Sequence, residues 1–82
     1  VNRVFRKAEL DAAVIETAQQ IAGNAPLTLR SAKLVLRELA KPPAARDHAA
    51  IEASIRACYD SADYAEGVRA FLEKRSPRFS GR

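Results

Sequence analysis

Eighty-two residues make one small domain, and a folded chain of this size buries only about 60% of the surface its unfolded form exposes. The single cysteine, Cys58, excludes an internal disulfide and a thiolate metal cage and fits a reducing, cytoplasmic setting; no apolar run is long enough to cross a bilayer and no secretory leader is visible. A net charge of +4 and a pI near 9.7 favour anionic partners, whether nucleic acid, phosphate-bearing cofactors or acidic proteins, although a mildly basic surface with no ligand has the same composition.

In chain order, Val1-Asn-Arg-Val-Phe5 alternates apolar and polar residues like the end of a strand, in a sequence that is otherwise helical. The chain also lacks methionine. Both features predict a cut through a larger protein, with residues 1–6 the end of a core domain, 7–75 a helical module and 76–82 a basic tail.

A first helix is predicted from about Lys7 to Ala22, with Leu10, Val14, Ala18 and Ile21 on one face and a left-handed ending at Gly23-Asn24. A second runs from about Pro26, suited to the first helical position, to Ala40, where Pro42-Pro43 forbids continuation. Ala25 is a poor cap for it, which leaves Asn24 to serve. Its stripe of Leu29, Ala32, Leu36 and Leu39, widened by Leu27, Leu34 and Val35, needs cover on more than one side. A third, from Ala44 or Asp47 to Tyr59, carries Ile51, Ile55 and Cys58 inward beside small Ala50, Ser54 and Ala57, which admit a close neighbour. A fourth starts at Asp63. Asp63 and Glu66 have capping-box spacing, Tyr64, Val68, Phe71 and Leu72 form the apolar stripe, Gly67 costs about 1 kcal/mol relative to alanine, and Ser76-Pro77 ends the helix. The fold class is therefore all-α, a small bundle of about four helices joined by short connections.

Few residues are placed for chemistry. His48, the only histidine, lies on a polar stretch beside Asp47 and reads as solvated. Cys58 sits on an apolar face with no histidine at helical spacing and reads as a small core residue. Glu9, Glu16, Glu38, Glu52 and Glu73 fall on polar faces. No phosphate-binding glycine loop or metal-ligand spacing is present, so catalytic and metal residues are expected to be none. The exception is the end of the chain, where Arg69, Lys74, Arg75, Arg78 and Arg82 crowd around Phe71 and Phe79. Cations beside an aromatic ring suit a ligand that has phosphates and a purine; cations at a helix C-terminus that favour its own dipole are the alternative.

Three blocks resemble the enoyl-CoA hydratase/isomerase (crotonase) family. Val1-Asn-Arg-Val is similar to the end of its G-L-V-N-x-V segment, Ala25-Pro-Leu-x-Leu-Arg-x-Ala-Lys33 to its P-x-A-x-x-x-x-K helix, and Glu66-Gly-Val-x-Ala-Phe-Leu-Glu-Lys-Arg-x-Pro-x-Phe79 to its closing E-G-x-x-A-F-x-x-K-R-x-P-x-F run. The resemblance implies a spiral core of ββα turns that binds an acyl-CoA thioester, with two backbone N–H groups as an oxyanion hole and, in hydratases, two glutamates that add water. None of those core residues lies in this sequence.

The crotonase-like C-terminal helical module would cover the active site and build a trimer, commonly paired into a hexamer, with no cofactor of its own and a coenzyme A thioester as the parent's substrate. By the same resemblance Phe71 and Lys74 would contact the adenine end of CoA. Ile55 stands where the family has an aromatic contact and cannot stack as a ring does, and Ala25 replaces the commoner serine or proline. The chain alone is expected to be inactive and to form dimers or larger species through its bare apolar stripes, with no nucleic-acid or membrane partner. Two other readings compete. One is a basic helix-turn-helix DNA-binding domain with Arg30, Ser31 and Lys33 facing a groove, against which Gln19 and Pro26 both count; the other is a helical adaptor with no small ligand.

Overall fold

The computed structural model describes residues 1–82 as four helices, α1 (Lys7–Ala22), α2 (Pro26–Leu39), α3 (His48–Tyr59) and α4 (Ala62–Leu72), with a 3-10 turn at Pro43–Ala45. The all-α class and the order of the four helices agree with the sequence pattern. Residues 1–6 take no regular structure, and the Arg3 guanidinium lies over the Phe5 ring, 4.7 Å from its centroid.

The helix ends are made differently from the expectation at three places. Gly23 is right-handed, with φ −76°, and the Asn24 side-chain amide instead turns back to donate to the carbonyls of Gln20 (3.2 Å) and Ile21 (3.3 Å). Asn24 is thereby spent on α1, and α2 starts at Ala25 with no side-chain cap, relying on Pro26 at its first turn, where a missing N–H costs nothing. The third change is at α4. Its N-cap is Ser61, whose hydroxyl accepts from the Tyr64 N–H at 3.0 Å and donates to the Cys58 carbonyl at 2.6 Å, closing α3 and opening α4 with one side chain. The Asp63–Glu66 capping box is therefore not formed, because both carboxylates are used elsewhere.

Packing is concentrated on one pair of helices. α2 and α3 form the extensive contact and α3 and α4 a smaller one, while α1 makes no comparable contact. At the α2–α3 crossing the hydroxyls of Ser31 and Ser54 meet at 3.0 Å, as small residues permit. Glu38 joins the ends of the same two helices. Expected on a polar, solvated face, it is 6% exposed, accepts from Lys41 Nζ at 2.7 Å and from the Asp47 N–H at 2.8 Å, and so anchors the residue that caps α3 through the Ala50 N–H. Arg46 closes the α2 end by donating to the carbonyls of Leu39 and Lys41.

The result is open. Its radius of gyration is 16.3 Å, against about 12 Å for a compact chain of this length. Its accessible surface is 6944 Å², roughly 2,000 Å² above the value for a compact protein of its mass. Ala70 is the only buried apolar residue, and Leu10, Val14, Ile21, Leu36 and Leu39, all on the expected apolar stripes, stand about half or more exposed. The periodicity located the apolar faces correctly, but most of them face no other part of this chain.

The last seven residues, the basic tail, are folded back onto the helices. They return along α4 as a strap, Phe79 lying over Gly67 and Gly81 against Pro26 at the start of α2. Two glycines there should respond oppositely to alanine. A Cβ at helical Gly67 would make ordinary contact with the Phe79 ring at 3.6 Å, so Gly67→Ala is expected to stabilise by about 1 kcal/mol. Gly81 has φ +81°, so Gly81→Ala is expected to destabilise by about 1 kcal/mol. Thermal melts of the two variants check both signs.

Candidate functional site

The candidate site is the C-terminal end of α4, and Ala70, 1% exposed, is its foundation. The helix closes there with two overlapping bonds: the Lys74 N–H reaches the Phe71 carbonyl at 3.3 Å and the Arg75 N–H the Ala70 carbonyl at 3.0 Å. This closure needs a left-handed residue at position 74, usually a glycine. Lys74 fills it at φ 54°, the only non-glycine residue with positive φ, at a cost of order 1–3 kcal/mol that a glycine would avoid. Phe71, one turn earlier, is 83% exposed although it belongs to the apolar stripe. An exposed aromatic ring and a lysine in a strained conformation therefore stand three residues apart at one helix end.

Phe71 also edges an open cleft of about 900 Å³ between α2, α3 and α4, lined among others by Val35, Leu36, Ile55, Tyr59 and Val68. Ile55 and Phe71, one helix apart in the sequence reading, share this cleft, whereas Lys74 lies outside its lining. Near its edge the Tyr59 and Tyr64 rings meet with centroids 5.2 Å apart. Cys58, half-buried, is a free thiol in the same lining, and His48 is exposed as the first residue of α3.

Behind the helix end, two carboxylates hold the strap. Asp63, 2% exposed, accepts from the backbone N–H groups of Ser80 and Gly81, both at 2.7 Å, and from the Ser80 hydroxyl at 3.2 Å; its own N–H donates to the Arg82 carbonyl at 2.9 Å. Glu66 takes the Arg75 guanidinium in a two-pronged ion pair, at 2.7 and 3.0 Å, and the Arg78 N–H at 2.7 Å. Arg75 also donates to Glu73 at 2.6 Å. The Arg75 guanidinium, followed by the Arg78 N–H, holds the Glu66 carboxyl down at about 2, and Glu66 and Glu73 in turn push Arg75 upward. The Ser80 N–H is the main cause of a lowered Asp63 carboxyl, and the Asp47 N–H, followed by Lys41, lowers Glu38.

The sequence points to Phe71 and Lys74 but gives no sign of the side chains that hold the helix end around them. In it Asp63 and Glu66 read as a local cap, and Arg75 and Arg78 as part of a basic cluster. The nine-residue separation of Glu66 and Arg75 has no local periodicity to betray it. Arg75 and the Arg78 backbone are committed to Glu66, so the cluster is less free to meet an anion than its composition implies.

A family model described as enoyl-CoA hydratase/isomerase matches residues 1–82. Methylmalonyl-CoA decarboxylase of Escherichia coli strain K12 is 39% identical over 99% of this chain and 32% of its own length. Carnitinyl-CoA dehydratase of Salmonella typhi is 35% identical over 100% of this chain and 33% of its own. The crystal structure of an enoyl-CoA hydratase from Mycobacterium tuberculosis H37Rv superposes with a TM-score of 0.82 at 28% identity, covering 100% of this chain and 32% of that one. The chain spans about a third of the length of the curated relatives it matches. A helix-turn-helix is not supported: α1 and α2 do not pack as that motif requires, and the matches lie elsewhere. With its whole length covered by the family model, the chain belongs to the enoyl-CoA hydratase/isomerase family.

Proposed function

We propose that this chain is the helical module of a longer enzyme of this family acting on acyl-CoA thioesters, that it covers the acyl-CoA pocket, and that its α4 end meets the adenine and phosphate end of coenzyme A. In this reading Phe71 offers a face for the adenine and Lys74 a cation for a phosphate. The apolar faces of α1, α2 and α4 cover the rest of the enzyme and neighbouring subunits, as in the trimer or hexamer that the resemblance implies. A cytoplasmic location of the parent is part of this proposal and rests on the single free cysteine, which suits a reducing compartment.

The observation that carries this reading is the combination of an 83% exposed Phe71 with a lysine held at φ 54° three residues on. Neither contributes to burial within the chain. Groups that weaken the isolated fold at one point are expected where a ligand is met.

The test is coenzyme A affinity in the full-length polypeptide. Losing one base-stacking ring costs about 1–3 kcal/mol, so Phe71→Ala is expected to weaken coenzyme A binding roughly tenfold while leaving the melting temperature unchanged. Unchanged affinity in a folded variant contradicts the assignment. The isolated chain is expected to show no hydration of crotonyl-CoA, and measurable turnover would contradict a purely covering role.

A further inference from the structure

We propose that Glu66 and Arg75 are positioning residues for coenzyme A binding: their ion pair holds the helix end so that Lys74 stays in the left-handed conformation from which its ammonium reaches the ligand. The proposal rests on the reading that Lys74 meets coenzyme A, and it adds how that lysine is kept in place.

The geometry is specific. Lys74 lies between two residues fastened to the same guanidinium, Glu73 through its carboxylate and Arg75 through its own side chain. Glu66, two turns back in α4, grips that guanidinium with both oxygens at 2.7 and 3.0 Å and takes the Arg78 N–H with one of them. The backbone on both sides of position 74 is thus tied to one carboxylate inside the helix. Arg75 further donates to the Ser76 carbonyl at 3.3 Å. A lysine at φ 54° needs such external restraint, because its own conformational preference favours unwinding the last turn. A two-pronged pair supplies direction as well as attraction, which a point charge does not.

A double-mutant cycle in the full-length polypeptide, read as the Kd for coenzyme A by calorimetry, tests this. Lys74→Gly is expected to weaken binding about fivefold, as loss of one exposed charge contact would, while raising the melting temperature because glycine adopts the left-handed conformation freely. Glu66→Gln is expected to weaken binding about threefold to fivefold, and Arg75→Lys, which keeps the charge but loses the fork, to do the same. The double variant Glu66→Gln, Lys74→Gly should bind no more weakly than Lys74→Gly alone, because Glu66 acts through the lysine. If Glu66→Gln does not fold, the cycle is closed with Arg75→Lys instead.

Additive losses in the double variant would overturn the proposal, since they mean that the ion pair supports the pocket in general. So would an unchanged Kd in Glu66→Gln and Arg75→Lys while Lys74→Gly remains weak. An unchanged Kd in Lys74→Gly would instead overturn the coenzyme A contact itself, and the positioning role with it.

Discussion

Asp63→Ala should release the C-terminal strap from α4 while leaving the four helices in place. One carboxylate holds the N–H groups of Ser80 and Gly81 and the Ser80 hydroxyl, and no other side chain in the structure reaches them. Without it the strap keeps on α4 only the bonds from the Arg78 N–H to Glu66 and from the backbone N–H of residue 63 to the Arg82 carbonyl, so Phe79 is expected to lose its seat over Gly67 and the bond following Arg78 to open more often. Limited trypsin digestion is expected to cut after Arg78 at least roughly tenfold faster in the variant, because cleavage follows the population of the locally opened strap. Acid should do the same to the unaltered chain. The carboxyls of Asp63 and Glu66 both sit below their ordinary values in the folded state, Glu66 at about 2 against 4.5. A depressed folded value means that the unfolded form binds protons first. The stabilisation by Glu66 is therefore complete above about pH 4.5 and lost as the pH falls toward 2. Protection of the Arg78, Ser80 and Gly81 amides relative to their intrinsic exchange rates, compared at pH 6 and pH 2, reports the release. Equal cleavage of Asp63→Ala and the parent chain would mean that the strap is held by something else.

The second large effect is self-association of the isolated chain. Its 6944 Å² of accessible surface leaves roughly 2,000 Å² uncovered relative to a compact protein, more than the about 800 Å² that each partner contributes to an ordinary specific interface. Leu36, 67% exposed, and Leu72, at 73%, both line the cleft and present most of their surface to solvent. Sedimentation is expected to show dimers or larger species. Leu36→Asp should weaken their association by about thirtyfold or more, as burying a charge at a central apolar contact does, without lowering helix content. A chain that stays monomeric at high concentration would show that these faces are tolerated bare.

Much of this was visible in the residues. Apolar spacing and the proline and glycine breakers placed α1 at Lys7–Ala22, as found, and set the other three to within a few residues. The terminal motif singled out Phe71 and Lys74, and the strained backbone of the second adds a reason that spacing alone lacks. Other features depended on distance in the sequence. Glu38 looked like one more surface carboxylate, because nothing local shows that the chain turns at Pro42-Pro43 and presents the Asp47 N–H to it. Asp63 and Glu66 fitted a local motif that Ser61 satisfies first, which freed them for partners nine or more residues away. The apolar stripes are exposed, as expected of faces without their cover, and periodicity reports that a face seeks cover without saying which molecule supplies it.

The most direct measurement is amide hydrogen exchange in the full-length polypeptide, with and without saturating coenzyme A. Slower exchange across residues 68–75, centred on Phe71 to Lys74, is expected on binding, with little change in the solvent-facing turn of α1. Saturation with coenzyme A that leaves residues 68–75 exchanging as before would show that this helix end does not meet the ligand.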